Sequence, residues 1–211
     1  MCSLTQLAYI ANHVYEQDTT VKAATEMERM GKIKRLHASF VFADSEGFQG
    51  ALYEAGQALV VAFRGTDDWE GIKADLNIGV GKTPKQLASA RELYQKGVQA
   101  AGSRPLIVTG HSLGGGLVQL ICAEFGAFGV TFNAVGMGKQ ADKAKLTGSN
   151  ILNIVLQHDP VSSIGRLIGK KLQLPNPAAI HKAHGQATVI EAIGRSQYAD
   201  ESADRVYSMI A

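Results

Sequence analysis

Cysteine is scarce in this chain: Cys2 and Cys122 are the only two among 211 residues. So few thiols imply no disulfide framework, although a bridge between the pair is left open. Cys122 falls in an apolar, helix-like segment and reads as a small core hydrophobe, whereas Cys2 lies at a terminus expected to be mobile. Charge of one sign is missing too, with 21 basic against 19 acidic residues and a formal net charge of +2. A nucleic-acid binder gathers positive charge on one face, and no such run exists here, so nucleic acid is not an expected partner. No apolar stretch approaches the roughly 20 residues needed to span a bilayer. The segment from Met1 to Gln6, followed by Asn12, His13 and Glu16, has no basic start leading into an apolar run, and so no secretory signal pattern. The expectation is a chain that is cytoplasmic as made, with any export by a signal-independent route. Repeats, low-complexity tracts and Pro/Ser-rich linkers are absent as well, which points to a single domain over residues 1–211. Clustered Cys/His ligand spacing is lacking, and neither a metal nor an organic cofactor is expected.

What the chain does have is apolar patterning and glycine. Hydrophobic residues make up 45% and glycines number 23, enough for a sizeable core with many tight turns. Leu4, Leu7, Ala8, Ala11, Val14 and Tyr15 fall on one helical face. Thr20 is placed to cap a second helix stopping near Gly31. Ala38 to Ala43 and Phe48 to Glu54 read as antiparallel strands, and the run from Ala58 to Phe63 as a strand buried on both faces. Thr83, Pro84 and Gln86 then give a cap, an N-terminal proline and a capping-box partner for a helix running toward Gly102. Leu106 to Thr109, Val130 to Val135 and Ile151 to Leu156 read as further strands. They are separated by an amphipathic helix from Leu113 to Phe125 and a short helix from Lys139 to Lys145, and helical pattern returns at Gln186. This alternation implies an α/β fold: a mainly parallel central sheet with helices on both faces and antiparallel strands at its N-terminal side. In such sheets functional residues gather at the C-terminal strand ends.

Gly110-His111-Ser112-Leu113-Gly114 has the Gly-x-Ser-x-Gly form. A chain of this length contains one by chance about one time in fifteen at ordinary Gly and Ser usage, so context must decide. The context is a strand immediately before it and a helix immediately after, the setting of a nucleophile elbow. There Ser112 takes a strained backbone angle, and the residues two before and two after it must be small. The helix opening at Leu113 aims free N–H groups and the positive dipole end at the serine oxygen. The plain alternative is a Gly-rich turn in which Ser112 only caps a helix.

A serine nucleophile needs a base, and the base a carboxylate. Asp159, in Gln157-His158-Asp159-Pro160, lies just past the strand from Ile151 to Leu156, at the same sheet edge as Ser112. It could also be a turn residue, while Asp142 in a surface helix is a poorer candidate. His184 and His181 follow Asp159, and His184 is favoured because the helix from Gln186 fixes its position. His111 is expected to pack beside the nucleophile and His158 to end a strand, and His13 and His37 have no catalytic neighbours. Arg64-Gly65-Thr66, at the end of the strand from Ala58 to Phe63, either offers an oxyanion donor in Thr66, with the Leu113 N–H as the second, or is an ordinary turn in which Thr66 or Asp67 caps a short helix. Trp69, Ile72 and Leu76 recur at helical spacing and form either a lid over the site or an ordinary surface helix.

Taken together, Phe63-Arg64-Gly65-Thr66, a tryptophan and aspartate soon after, Gly110 to Gly115, Thr131-Phe132-Asn133-Ala134 and Asp159-Pro160-Val161 resemble the class 3 lipases. The resemblance spans roughly residues 36 to 194. It implies an α/β-hydrolase fold and esterase, lipase or phospholipase activity, with nucleophile, acid and oxyanion residue at Ser112, Asp159 and Thr66. His184-Gly185-Gln186 matches the family's histidine motif only in part. In length the chain is similar to small bacterial lipases, some delivered to other cells as phospholipase toxins, for which an inhibitory partner protein would be expected. The leading expectation is therefore a serine hydrolase of lipid esters that meets its substrate at a lipid surface. Acyl transfer or thioester cleavage by the same residues is the enzymatic alternative. A non-catalytic lipid- or protein-binding module on the same fold is the alternative of another class.

Overall fold

Between Ala58 and Phe63 every residue is buried, and successive side chains enter two different cores. Ala58, Val60 and Ala62 belong to one, Val61 and Phe63 to the other, as the two-residue period of a strand requires when both faces of a sheet are covered. The computed structural model describes residues 2–15, 33–35, 42–45, 47–66 and 82–210. The expected helix from Thr20 to Gly31, the first part of the strand from Ala38 and the segment holding Trp69, Ile72 and Leu76 lie outside them.

Among the described residues the sheet has eight strands: β1 (Ile33–Arg35), β2 (Phe42–Ala43), β3 (Gln49–Ala55), β4 (Ala58–Phe63), β5 (Leu106–His111), β6 (Phe128–Phe132), β7 (Ile151–Leu156) and β8 (Lys170–Leu174). Its order is β1-β3-β4-β5-β6-β7-β8, with β2 also paired to β3. β1, β2 and β4 all pair with β3 antiparallel, whereas β4 through β8 run parallel. Because the parallel strands follow in chain order, right-handed crossovers carry the described connecting helices over one face. Those helices are α2 (Leu87–Ala101), α3 (Leu113–Phe125) and α4 (Gly138–Ala144). Leu93, Leu117, Ile121 and Ala141 from them pack on Leu52, Val61 and Val108 of the sheet. The opposite face is left to the chain ends: α1 (Leu4–His13), α5 (Gln186–Gly194) and α6 (Ala203–Met209). They bring Leu7, Ile10, Val189, Ile193 and Val206 against Val60, Val130, Phe132 and Ile154.

Local chemistry sets several boundaries. Ser3 caps α1 in a full capping box with Gln6. α3 is buried around most of its circumference and ends at Gly126, whose φ of 69° is the left-handed cap conformation. The Thr83-Pro84-Gln86 signal misplaces the start of α2. Pro84 instead accepts the Leu87 N–H at 3.2 Å in a preceding turn, and Gln86 is the N-cap. Cys2 is not at a mobile end: it is fully buried, its carbonyl accepts the Ala203 N–H at 3.2 Å, and burial pushes its thiol up to about 12. Cys122 is buried likewise, and both cysteines are free. β8, which the periodicity gave no sign of, is an edge strand whose Lys170, Lys171 and Gln173 interrupt the apolar pattern.

The capping box carries a measurable consequence. Ser3→Ala is expected to lower unfolding free energy by about 1 kcal/mol in urea titration, with an unchanged denaturant slope.

Candidate active site

The first residue after β5 is Ser112, with φ 57° and ψ −126°, a region that side chains other than glycine rarely occupy. Such a conformation costs about 1–3 kcal/mol and persists only where the surroundings enforce it. Here the Ser112 N–H donates to the Phe132 carbonyl at 3.1 Å, and its own carbonyl accepts from Gly116 at 3.1 Å and Val135 at 3.3 Å. The turn also needs bare backbone on either side. A Cβ at Gly110 would lie 2.6 Å from the Gly114 carbonyl carbon, and one at Gly114 would lie 2.3 Å from the Phe63 oxygen. β4, β5 and α3 therefore meet with no room for a methyl group.

Asp159 stands three residues beyond the end of β7, and Thr66 three beyond the end of β4, so both reach the same C-terminal sheet edge as Ser112. His184 follows a 3₁₀ turn (Ile180–Lys182) and precedes α5. Its Nδ1 lies 2.9 Å from Asp159 Oδ1 and its Nε2 3.0 Å from Ser112 Oγ. A carboxylate only accepts, so Nδ1 carries the proton and Nε2 is left to accept from the serine hydroxyl. Ser112 is fully buried and Asp159 nearly so, while the His184 side chain keeps 22% of its surface open. His181, the other histidine after Asp159, is exposed on the 3₁₀ turn. Asp142 is an exposed partner of Arg166.

Burial works to raise the Asp159 carboxyl, but His184 and the Ser162 hydrogen bonds outweigh it and hold it below the usual range. The Ser162 N–H donates to Oδ2 at 2.9 Å and the Val161 N–H to Oδ1 at 3.4 Å, so the carboxylate is fixed in place as well as charged. At the far side of the serine, the Leu113 N–H opens α3, where the first turn offers no intrahelical acceptor. Thr66 is part-buried in the loop after β4. A Cβ on its neighbour Gly65 would lie 3.1 Å from Ser112 Cβ, which brings this loop directly against the Ser112 turn.

Sequence reasoning assigned no role to the groups that hold the histidine loop. The Asn133 side chain donates to the Ala183 carbonyl at 2.8 Å and accepts from the Leu156 N–H at 2.9 Å, tying that loop to the end of β7. Its φ of 45° marks the bend that aims it there. Among the described residues no group of three or more His, Cys, Asp or Glu is placed to hold a metal ion, and no helix is long and apolar enough to cross a membrane.

This geometry sits on the α/β-hydrolase fold, and solved structures with the same architecture include lipases. Rhizomucor miehei lipase in its native propeptide complex matches with TM-score 0.60 and 15% identity, over 81% of this chain and 67% of that one. The triacylglycerol lipase of Penicillium expansum matches with TM-score 0.55 and 15% identity, over 95% and 92%. The chain itself belongs to the phospholipase-like family defined by the Tle-like phospholipase domain, whose model covers residues 5–152. It is also 36% identical over 91 residues to the extracellular phospholipase A1 of Serratia liquefaciens, a stretch of 43% of this chain but 28% of that protein. The chain thus spans well under half of that relative. The family match ends before Asp159 and His184, which only their hydrogen bonds tie to Ser112.

His111 gives the site a pH signature. Burial, with the nearby His184 adding to it, pushes the His111 imidazole down to about 3 from its ordinary 6.5. As pH falls below the ordinary value the unfolded chain takes up this proton and the folded chain does not, so stability present above that value is lost on acidification. Asp159 adds to the loss lower down, as its carboxylate protonates. Replacing His111 with Gln is expected to flatten the unfolding free energy between about pH 6 and pH 4 by up to about 1 kcal/mol per pH unit, as read from denaturation at stepped pH.

Proposed function

We propose that this chain hydrolyses carboxylic esters of lipids, phospholipids foremost, through an acyl-enzyme formed on Ser112. The observation that carries the reading is the unbroken hydrogen-bond path from Ser112 Oγ through both nitrogens of His184 to Asp159 Oδ1. Ser112 Oγ attacks the ester carbonyl carbon while His184 Nε2 takes the hydroxyl proton. Negative charge moves onto the carbonyl oxygen, and the Leu113 and Thr66 N–H groups face it. The tetrahedral species collapses, the C–O bond to the alcohol breaks, and His184 gives its proton to that leaving oxygen. Water then loses a proton to the same nitrogen and attacks the acyl carbon, the C–Oγ bond breaks to free the fatty acid, and the proton on His184 returns to Ser112 Oγ. Asp159 stays ionised throughout and steadies the imidazolium. Residues 1–211 act as one domain in this scheme, with the ester presented at a lipid surface.

Family membership supports the lipid-ester class, and the choice of phospholipid leans on the Serratia relative. The test is fatty-acid release from phospholipid vesicles, triacylglycerol emulsions and an acyl thioester, assayed in parallel. Ser112→Ala and His184→Ala are expected to lower turnover by roughly four to six orders of magnitude, whereas His181→Ala retains it. Full activity in Ser112→Ala would refute the acyl-enzyme. Faster thioester than ester cleavage would move the substrate class.

A further inference from the structure

Tyr15 directly follows the last turn of α1, where the Val14 carbonyl accepts from the Gln49 side chain at 2.9 Å. That contact ties the end of α1 to β3, and Gln49 is itself held by the Arg64 guanidinium at 2.8 Å. The Tyr15 hydroxyl accepts the Gly65 N–H at 3.0 Å, in the loop that carries Thr66. The same hydroxyl lies 3.3 Å from Nδ1 of His111. On the other side of that ring, Nε2 stands 2.8 Å from the backbone carbonyl of His184. The two imidazoles lie against each other at a tilt, with ring centroids 4.6 Å apart and planes inclined by 38°.

Directions along this path follow from the partners. The His184 carbonyl can only accept, so His111 Nε2 bears the proton and donates. A neutral ring then leaves Nδ1 as an acceptor, filled by the Tyr15 O–H, and the Tyr15 oxygen is free to accept from Gly65. The depressed basicity of His111 agrees with a ring that stays neutral. Gln186 also hydrogen-bonds to the Tyr15 hydroxyl, whose oxygen has a second lone pair, and the path itself runs donor to acceptor from the loop after β4 to the backbone of His184.

We infer that Tyr15 and His111 form one positioning relay that sets the oxyanion loop and the His184 loop in register about Ser112. The inference rests on the proposed roles of Ser112, His184 and Thr66. It gives α1 a function in the site beyond covering the sheet. Neither side chain touches the reacting atoms; Tyr15 acts through the Gly65 backbone next to Thr66, and His111 through the backbone carbonyl of His184. Removing a relay member lets one loop shift by a fraction of an ångström, which hinders the chemical step more than substrate binding. Since the two side chains act in series, losing both costs no more than losing one.

The test is a double-mutant cycle of Tyr15→Phe, His111→Leu and the pair, with kcat and KM measured on phospholipid vesicles beside wild type and Ser112→Ala. Each single variant is expected to lose about tenfold to a hundredfold in kcat with KM changed less than about twofold, and the pair to match the worse single. Losses that multiply in the pair, or wild-type kcat in Tyr15→Phe, overturn the relay. Activity surviving in Ser112→Ala would instead strike the proposed function. A second measurement needs no variant: nitrogen NMR of the wild-type His111 ring. Protonation at Nε2 at neutral pH is the expected result, and protonation at Nδ1 overturns the path.

Discussion

The backbone of Ser112 is the constraint around which the rest is arranged. A serine at φ 57° between a buried strand and a buried helix exists only because two glycines let β4, β5 and α3 close to backbone contact. That closeness puts the hydroxyl at the rim of the sheet. It also sets the Leu113 N–H beside it and brings the loop after β4 within reach. Widening the turn by one methyl on either side would separate the hydroxyl from the donors together, because the same contacts place both.

Topology explains where the other groups come from. A sheet whose parallel strands are laid down in chain order has its connecting helices on one face, and among the described residues the second face is covered by α1 from before the sheet and by α5 and α6 from after it. The ends are accordingly joined: Leu4 donates to Glu201 at 3.1 Å, and Ser3 bridges Ser202. The same cover that buries the second face delivers His184 ahead of α5 and Tyr15 behind α1. Residues distant in sequence thus meet at Ser112 for the same reason that the core is closed. Asp159 and Asn133 complete the surroundings from strand ends, where parallel sheets collect polar groups that need not be paired in the ladder.

Much of this was legible beforehand, for physical reasons that differ by element. β4 and β7 were read to the residue, since a continuous apolar run bounded by polar turns has few other solutions. The strained turn at Ser112 is legible in the glycines it demands, and the position of Asp159 at the sheet edge in the obvious strand before it. β8 was not legible because an edge strand is free to carry lysines. Cys2 was misjudged because nearness to the start of a chain says nothing about the tertiary cover it finds. Tyr15 read as one more apolar position on a helix face, and no local pattern can show that its hydroxyl meets a glycine fifty residues away. Networks of single hydrogen bonds across the fold leave no periodic trace.

The central claim is that one sheet edge holds a serine, its base and its oxyanion donors in a single ready geometry. A crystal structure of the protein after reaction with a long-chain alkyl phosphonate tests it directly. The expected result is phosphorus bonded to Ser112 Oγ, with the phosphonyl oxygen within hydrogen-bond reach of the Leu113 and Thr66 N–H groups and His184 still on Asp159. A phosphonate that leaves Ser112 unmodified, or whose oxygen turns to solvent away from both N–H groups, would contradict it.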